Sequence, residues 1–403
     1  MLPALRVTLL CCLAALSAGC ARPTVIRANV PEGTPVVYAA GSVPSLGNWD
    51  PGRVAMRGTG RARELSVDLA GADEAEFKLT LGSWSTEALG ADGRIMQNQR
   101  LRAGGVATVE VSGFQADRST DAFDDPAGGG VLGTLVTWRD VRSTQGIRAR
   151  TVQVWLPPEY DPAGATRHPV IYAHDGQNLF DPRLAAFGTD WGLDEAIVEL
   201  CARTACTPPI VVAVWNTPDR RREYCPWGLG DRYAAFLIDE LMPKVNAEFR
   251  TRTDAAATMT LGSSMGGLIS FHLCRTHPEC FGLGACVSTH VPFSAADLAR
   301  ANGGGAVGTA GAGDADRTPL ILRDIEAGMA FPKGPRLWFD YGTEGLDAAY
   351  GPIQAKVDAW LEQQGLVRER DFTSRRFDGA DHSERAWRAR VGQALAFLLA
   401  PVR

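Results

Sequence analysis

The stretch that decides the fold is "ATMTLGSSMGGLISFHLCRTHP", residues 257–278. Its first half, "ATMTLG", is a short apolar run rich in β-formers, which suits a buried strand. Its second half, from about Met265, carries apolar residues at helical spacing. Between them Gly262-Ser263-Ser264-Met265-Gly266 fits G-x-S-x-G. Only Ser264 has glycines at both minus two and plus two. For Ser263 those places are Leu261 and Met265. A tight strand-to-helix turn lifts a hydroxyl clear of the sheet and needs small flanking residues. The motif alone also fits a glycine-rich turn that serves only close packing. The strand before it and the helix after it make Ser264 a candidate nucleophile.

Outward from this turn, strands and helices alternate. "HPVIYAHDG", "PIVVAVWN", "GLGACVSTH" and "RLWFDYGTE" read as buried parallel strands. "YAAFLIDELMPKVNAEF", "YGPIQAKVDAWLEQQG" and "SERAWRARVGQALAFLL" read as helices. The first of these places Leu237, Leu241 and Val245 on one face, and Pro243 is expected to kink or end it. The pattern predicts an α/β fold over 132–403, a doubly wound, mostly parallel sheet.

A serine nucleophile needs a base and an orienting acid. Of six histidines, His382 in "FDGADHSERAW" alone follows in the chain order Ser, then acid, then His. The acid is expected after "RLWFDYG". Asp347, in the loop beyond the strand, is preferred over Glu344, and Asp340 within the strand is read as structural. Two backbone N–H groups are expected to hold an oxyanion. One is that of Met265, directly after the nucleophile. The other is that of Gln177 in "HDGQNLFD", where Gly176 lets the backbone turn. His174 and His290 end two strands, where ligands bind in open α/β sheets. They stand as substrate-facing candidates, with a structural role as the favoured alternative.

Together "HPVIYAHDGQNLFD", "TLGSSMGGLIS" and "GADHSERAWRARV" resemble the putative-esterase branch of the α/β-hydrolases over roughly residues 132–400. That branch includes feruloyl and acetyl carbohydrate esterases, siderophore esterases and mycolyltransferase-like proteins. The resemblance implies a serine esterase acting through Ser264, His382 and Asp347 without metal or other cofactor. Acyl transfer to a sugar or lipid acceptor, or a non-catalytic surface glycan-binding role, are the alternatives. "WNTPDRRREYCP" resembles the branch's loop after the next strand. It implies that Asn216, Glu223 and Tyr224, with Asp175 of the earlier loop, line or brace a substrate pocket, as do Arg220 and Arg221. Where many members carry "SPSLWW"-like residues this chain has "VSTHVPFS", so His290 and Phe293 would occupy that part of the pocket.

Residues 24–115 change character. "TPVVYAAG", "ELSVDL", "AEFKLTLG" and "VATVEVSGF" are short strands punctuated by turn residues, predicting a small β-sandwich. "AAGSVPSLGNWDP" and "AEFKLTLGSWSTEALGADG" resemble a starch-binding-type carbohydrate-binding module, which implies that Trp49 and Trp84 form a sugar-stacking platform. Packing inside the domain is the rival role for both. Residues 116–131, polar and rich in Gly and Pro, read as a linker, and "NGGGAVGTAGAG" (302–313) as a mobile surface loop.

The first nineteen residues read as an export signal. Arg6 precedes "VTLLCCLAAL", too short to span a membrane. "LSAGC" resembles a bacterial lipobox, implying a lipidated Cys20 and, with Ala21 following, an outer-membrane anchor facing the cell envelope. Beyond these segments six cysteines remain. "CARTAC" and "CRTHPEC" suggest Cys201–Cys206 and Cys274–Cys280 bridges among fifteen connectivities open to six cysteines. Composition is that of an ordinary globular protein, 45% hydrophobic and 22% charged, with net charge -5 and no long basic block. A nucleic-acid partner is therefore not expected. Oligomeric state is not legible.

Overall fold

The structure is a computed structural model that describes residues 23–47, 51–82, 86–91, 93, 96, 98–114, 130–185, 188–302 and 318–400. Its chain divides into two compact units, 1–117 and 118–403. Cys20, Trp49, Trp84, most of the expected linker and nearly all of the expected 302–313 loop lie outside the described residues.

In the first unit eight short strands form: β1 (Val25–Asn29), β2 (Tyr38–Gly41), β3 (Ala62–Ser66), β4 (Glu74–Thr80), β5 (Ala88–Leu89), β6 (Gln99–Arg102), β7 (Val106–Glu110) and β8 (Gly113–Phe114). Two three-stranded sheets, β3-β1-β7 and β2-β4-β6, and the β5-β8 ribbon make up this unit. Inward residues of both larger sheets (Ile26, Ala39, Phe77, Leu79, Val109) share one core. β1 and β7 are parallel, and the other described pairs of this unit are antiparallel.

The second unit holds one sheet of eight strands in the order β16-β15-β14-β13-β11-β12-β10-β9. They are β9 (Thr134–Val141), β10 (Arg150–Leu156), β11 (Val170–His174), β12 (Ile210–Val214), β13 (Thr258–Ser263), β14 (Leu283–Val287), β15 (Arg336–Gly342) and β16 (Phe372–Phe377). β11 to β16 run parallel, and β10 is antiparallel to both its neighbours. The helices are α1 (Leu193–Thr204), α2 (Arg220–Glu223), α3 (Gly230–Ala235), α4 (Met242–Glu248), α5 (Met265–Thr276), α6 (Ala295–Ala301), α7 (Leu320–Glu326), α8 (Gly351–Gln363), α9 (Glu384–Arg388) and α10 (Val391–Leu399). Two separate apolar clusters use alternate residues of the same strands: Val212 and Tyr172 belong to one, Val211 and Ile171 to the other. The sheet is thus covered on both faces, which is why its strands read as continuous apolar runs.

Three expectations are corrected. Pro243 does not end its helix. The run continues from α3 to α4 through a wide π-type turn at Phe236–Leu241. A proline has no N–H to close the normal turn behind it, and the widened turn absorbs that loss. "SERAWRARVGQALAFLL" makes two helices, α9 and α10, because Arg390 leaves helical geometry (φ -130°, ψ -10°). Its side chain is 2% exposed. Finally, Cys201 and Cys206 are bridged across the end of α1, but Cys274 and Cys280 are free thiols. Cys274 is buried on α5, its Sγ against Gly284, and Cys280 follows the helix end.

Candidate active site

β13 ends at Ser263, and α5 begins at Met265. Ser264 between them takes φ 56°, ψ -118°, a conformation non-glycine residues rarely adopt. Neighbouring backbone holds it there. Its N–H donates to the Val287 carbonyl at 3.0 Å, and its carbonyl accepts from His290 N at 3.0 Å and Leu268 N at 3.1 Å. Ser263 is 3% exposed and Ser264 half-buried, so only the second hydroxyl is reachable. The glycines have distinct reasons. A Cβ on Gly262 would lie 2.7 Å from the Gly266 carbonyl carbon, where strand crosses helix. One on Gly266 would meet only ordinary contacts, at 3.4 Å from His174 Cβ and 3.5 Å from Asp175 Oδ2.

Because β13, β15 and β16 are parallel, the loops after them emerge at one end of the sheet. Asp347 sits on the turn Gly345–Ala349 after β15 and is fully buried. His382 follows β16, half-buried, and its Nδ1 lies 2.5 Å from Asp347 Oδ1. The loops are tied together where Thr343 and Glu344 N–H both donate to the Ala380 carbonyl, at 2.9 and 3.0 Å. Gly342 is needed beneath them, since a Cβ there would collide with the Ala380 oxygen. Glu344 itself is exposed. Asp347 Oδ2 accepts from Gly342 N at 2.7 Å and from Ser288 Oγ at 2.5 Å. Burial works to raise the Asp347 carboxyl. The hydrogen bond and charge of His382, with those donors, outweigh it and hold the group below the usual carboxylate range.

Asp340 is buried within β15 as a brace. It accepts from Trp338 Nε1 at 2.6 Å and Ser288 N at 3.1 Å, and pairs with Arg390 at 2.9 Å.

The first N–H groups of α5, that of Met265 foremost, have no partner inside the helix and face the turn. The segment carrying Gln177 adjoins them, since His174 and Asp175 border Gly266. Gly176 is needed for a reason the sequence did not suggest. Its Cβ would sit 2.5 Å from the Ala213 carbonyl carbon of β12, whereas the left-handed residue of this turn is Asp175, at φ 55°.

Several pocket candidates prove to be braces. His174 is wholly buried between Tyr233 Oη and Thr260 Oγ1, both at 3.0 Å. Burial pushes its ring down to about 3, so it is neutral at ordinary pH. Glu223, with no exposure, is clasped by Arg150 at 2.7 and 3.2 Å. Tyr224 is buried and accepts from Asp175 N at 3.1 Å. Asp175 holds Arg220 at 2.6 and 2.7 Å and Asn216 Nδ2 at 2.6 Å. Of these candidates Asn216, Arg220, Arg221 and His290 keep partial exposure. Phe293 is buried and stacks on Trp227.

Sequence reasoning missed Tyr350, Ser288, Trp387 and Arg390. His382 stands edge-on to Trp387 and Tyr350, with ring centroids 5.0 and 5.7 Å away. Trp387 Nε1 and Arg390 Nη2 donate to Ser288 Oγ at 3.1 and 2.5 Å. A tyrosine three places after the acid and an arginine near a helix start carry no spacing signal.

The mostly parallel eight-stranded sheet, with helices on both faces, defines an α/β-hydrolase fold. The chain belongs to the family described as "Putative esterase", whose pattern matches residues 143–398. Bacillus subtilis (strain 168) YbbA, an uncharacterized protein, is 24% identical over 146 residues, 33% of this chain and 54% of YbbA. The chain spans about half the length of the curated relatives it matches. Among solved structures, a ferulic acid esterase is 17% identical, with TM-score 0.49, over 66% of this chain and 98% of its own. The Shigella flexneri enterobactin esterase FES, with enterobactin present, is 16% identical, with TM-score 0.49, over 93% and 92%.

Proposed function

We propose that this chain is a serine esterase that cleaves carboxylic esters through an acyl-enzyme intermediate. One observation carries the reading most: His382 and Asp347 are hydrogen-bonded at 2.5 Å in loops at the same end of the sheet as Ser264. In this reading Ser264 Oγ attacks the ester carbonyl as His382 takes its proton. Asp347 fixes the imidazole tautomer and stabilises the imidazolium. Met265 and Gln177 N–H groups hold the oxyanion, each worth about 10²- to 10³-fold in rate. His382 then returns the proton to the leaving alcohol, and water repeats the sequence on the acyl-enzyme. Membership of the esterase family supports an ester as substrate.

The test is p-nitrophenyl acetate turnover by the full chain. Ser264→Ala is expected to lose most of the rate, up to about 10⁶-fold, and Ser263→Ala to keep much of it. Equal activity in Ser264→Ala would sink the assignment. Product analysis with added sugar or lipid acceptors separates hydrolysis from acyl transfer. Failure of Ser264 to react with a fluorophosphonate would leave a non-catalytic, glycan-binding role.

The finer reading is an envelope enzyme for acyl esters of carbohydrates, anchored through Cys20 and guided by Trp49 and Trp84. The Cys201–Cys206 bridge supports export, since such bonds persist in oxidising compartments. Palmitate labelling lost in Cys20→Ala, and glycan-array binding lost in Trp49→Ala/Trp84→Ala, are the expected results.

A further inference from the structure

Tyr350 lies between His290 and His382. Its hydroxyl is 2.7 Å from His290 Nδ1. Its ring stands edge-on to those of His290 and His382, with centroids 5.8 and 5.7 Å away. His290 is itself joined to the nucleophile turn, its N–H donating to the Ser264 carbonyl at 3.0 Å. The Ser264 side chain is among the groups that act on the phenol's ionisation. Tyr350 is 1% exposed, so this hydroxyl is a buried polar group held beside the nucleophile turn through His290.

Resting on the esterase reading, we propose that Tyr350 is a further catalytic residue and His290 its positioning residue: the phenol O–H, oriented by His290 Nδ1, donates a hydrogen bond to the oxygens that gain charge at Ser264. The site then has a side-chain donor besides its two backbone N–H groups. Tyr350 keeps its proton throughout. The only proton moved is the one His382 takes from Ser264, or from water in deacylation, and returns to the departing oxygen.

The electrostatics agree. Burial, with the Asp347 charge adding to it, pushes the Tyr350 hydroxyl well above its ordinary range, so it stays a protonated donor. Burial first, then coupling to the His382 ring and the charges of Arg221 and Arg220, against the opposing charge of Asp297, bring His290 down to about 4. His290 is therefore neutral near pH 7 and carries one N–H. With that N–H on Nδ1 it donates to Tyr350 Oη, which frees the phenol's own proton for the reacting centre. With it on Nε2, Tyr350 would spend its proton on His290 and could only accept from Ser264. The two arrangements predict opposite effects of removing the hydroxyl.

The experiment measures kcat and KM for p-nitrophenyl acetate on the full chain, with Ser264→Ala as the reference for the parent reading. Tyr350→Phe keeps the ring and its packing. Its kcat is expected to fall about 100-fold, as for loss of one transition-state donor, with KM within about twofold and an unchanged melting temperature. His290→Ala is expected to lower kcat in the same direction. The double variant is expected to be no slower than Tyr350→Phe, because His290 acts through the phenol. A Tyr350→Phe kcat equal to or above that of wild type, a change confined to KM, or a double variant slower by the product of the two single effects would overturn the proposal. If Ser264→Ala is as active as wild type, the esterase reading itself has failed. If Ser264→Ala is inactive and Tyr350→Phe is not impaired, only the role of Tyr350 has failed.

Discussion

Asp347 and Arg390 stand apart across Ser288. The guanidinium Nη2 is 3.6 Å from Asp347 Oδ2, while Ser288 Oγ accepts from it at 2.5 Å and donates to the same carboxylate at 2.5 Å. The hydroxyl relays the cation's hold on the acid beside this longer direct ion pair. Removing it leaves Arg390 and Trp387 donors buried and deprives Asp347 of one of its donors. A hydrogen bond to a charged group is worth about 1.5–3 kcal/mol, about 10- to 100-fold if spent on the barrier. Ser288→Ala is therefore expected to lower kcat for p-nitrophenyl acetate by that factor with little change in KM. An unaffected kcat would show that the relay does not bear on the acid.

Asp347→Asn is expected to cost about 10⁴-fold in kcat, because the amide no longer enforces the working tautomer of His382. It also bears on stability. The folded carboxyl is held below its unfolded value of about 3.9. Its contribution is then complete above that unfolded value and is lost as pH falls through the lower folded one. Denaturant unfolding of wild type and Asp347→Asn should show a stability gap that narrows as pH drops below about 4. A gap that widens on acidification would refute the sign.

Gly262→Ala forces a methyl against the Gly266 backbone, which cannot swing aside as a side chain would. The expected cost is about 1–3 kcal/mol of stability, together with displacement of Ser264. Gly266→Ala meets only ordinary contacts on the native backbone. Thermal melts of the two variants should therefore rank Gly262→Ala clearly lower. Equal melts would mean that the crossing has more slack than its distances imply.

The Cys201–Cys206 bridge closes a loop with sequence separation 5. Loop-closure entropy for so short a ring gives about 2 kcal/mol. A Cys201→Ser/Cys206→Ser variant is expected to melt earlier by the equivalent amount, and reductant should shift wild type towards it. Reductant that leaves the melting temperature unchanged would argue against the bond.

The parallel strands β11 to β15 were legible because they are buried on both faces and so read as unbroken apolar runs. The strands β9, β10 and β16 were not singled out. "TLVTWRDV" and "FTSRRF" mix charge with apolar residues, because these edge strands face solvent in part. Within the site, Ser264, Asp347 and His382 were chosen by motif and chain order, and the structure brings Asp347 and His382 into contact. His174 and Glu223 looked like ligand groups, since a polar residue at a strand end or in a loop reads the same whether it faces a substrate or a buried arginine. Arg390 was hidden for the opposite reason: nothing in "RAWRARV" distinguishes a guanidinium turned into the core from two that reach solvent.

The chain order also has a consequence in time. Synthesis runs from the N-terminus, so the Ser264 turn, with β11, β12 and β13 beneath it, is made long before β16 and the His382 loop. Until that last strand docks beside β15, the serine is an ordinary alcohol with no partner to take its proton. Under the proposed chemistry the polypeptide would carry its reactive group unarmed through most of its own making, and docking of the final strand would switch it on.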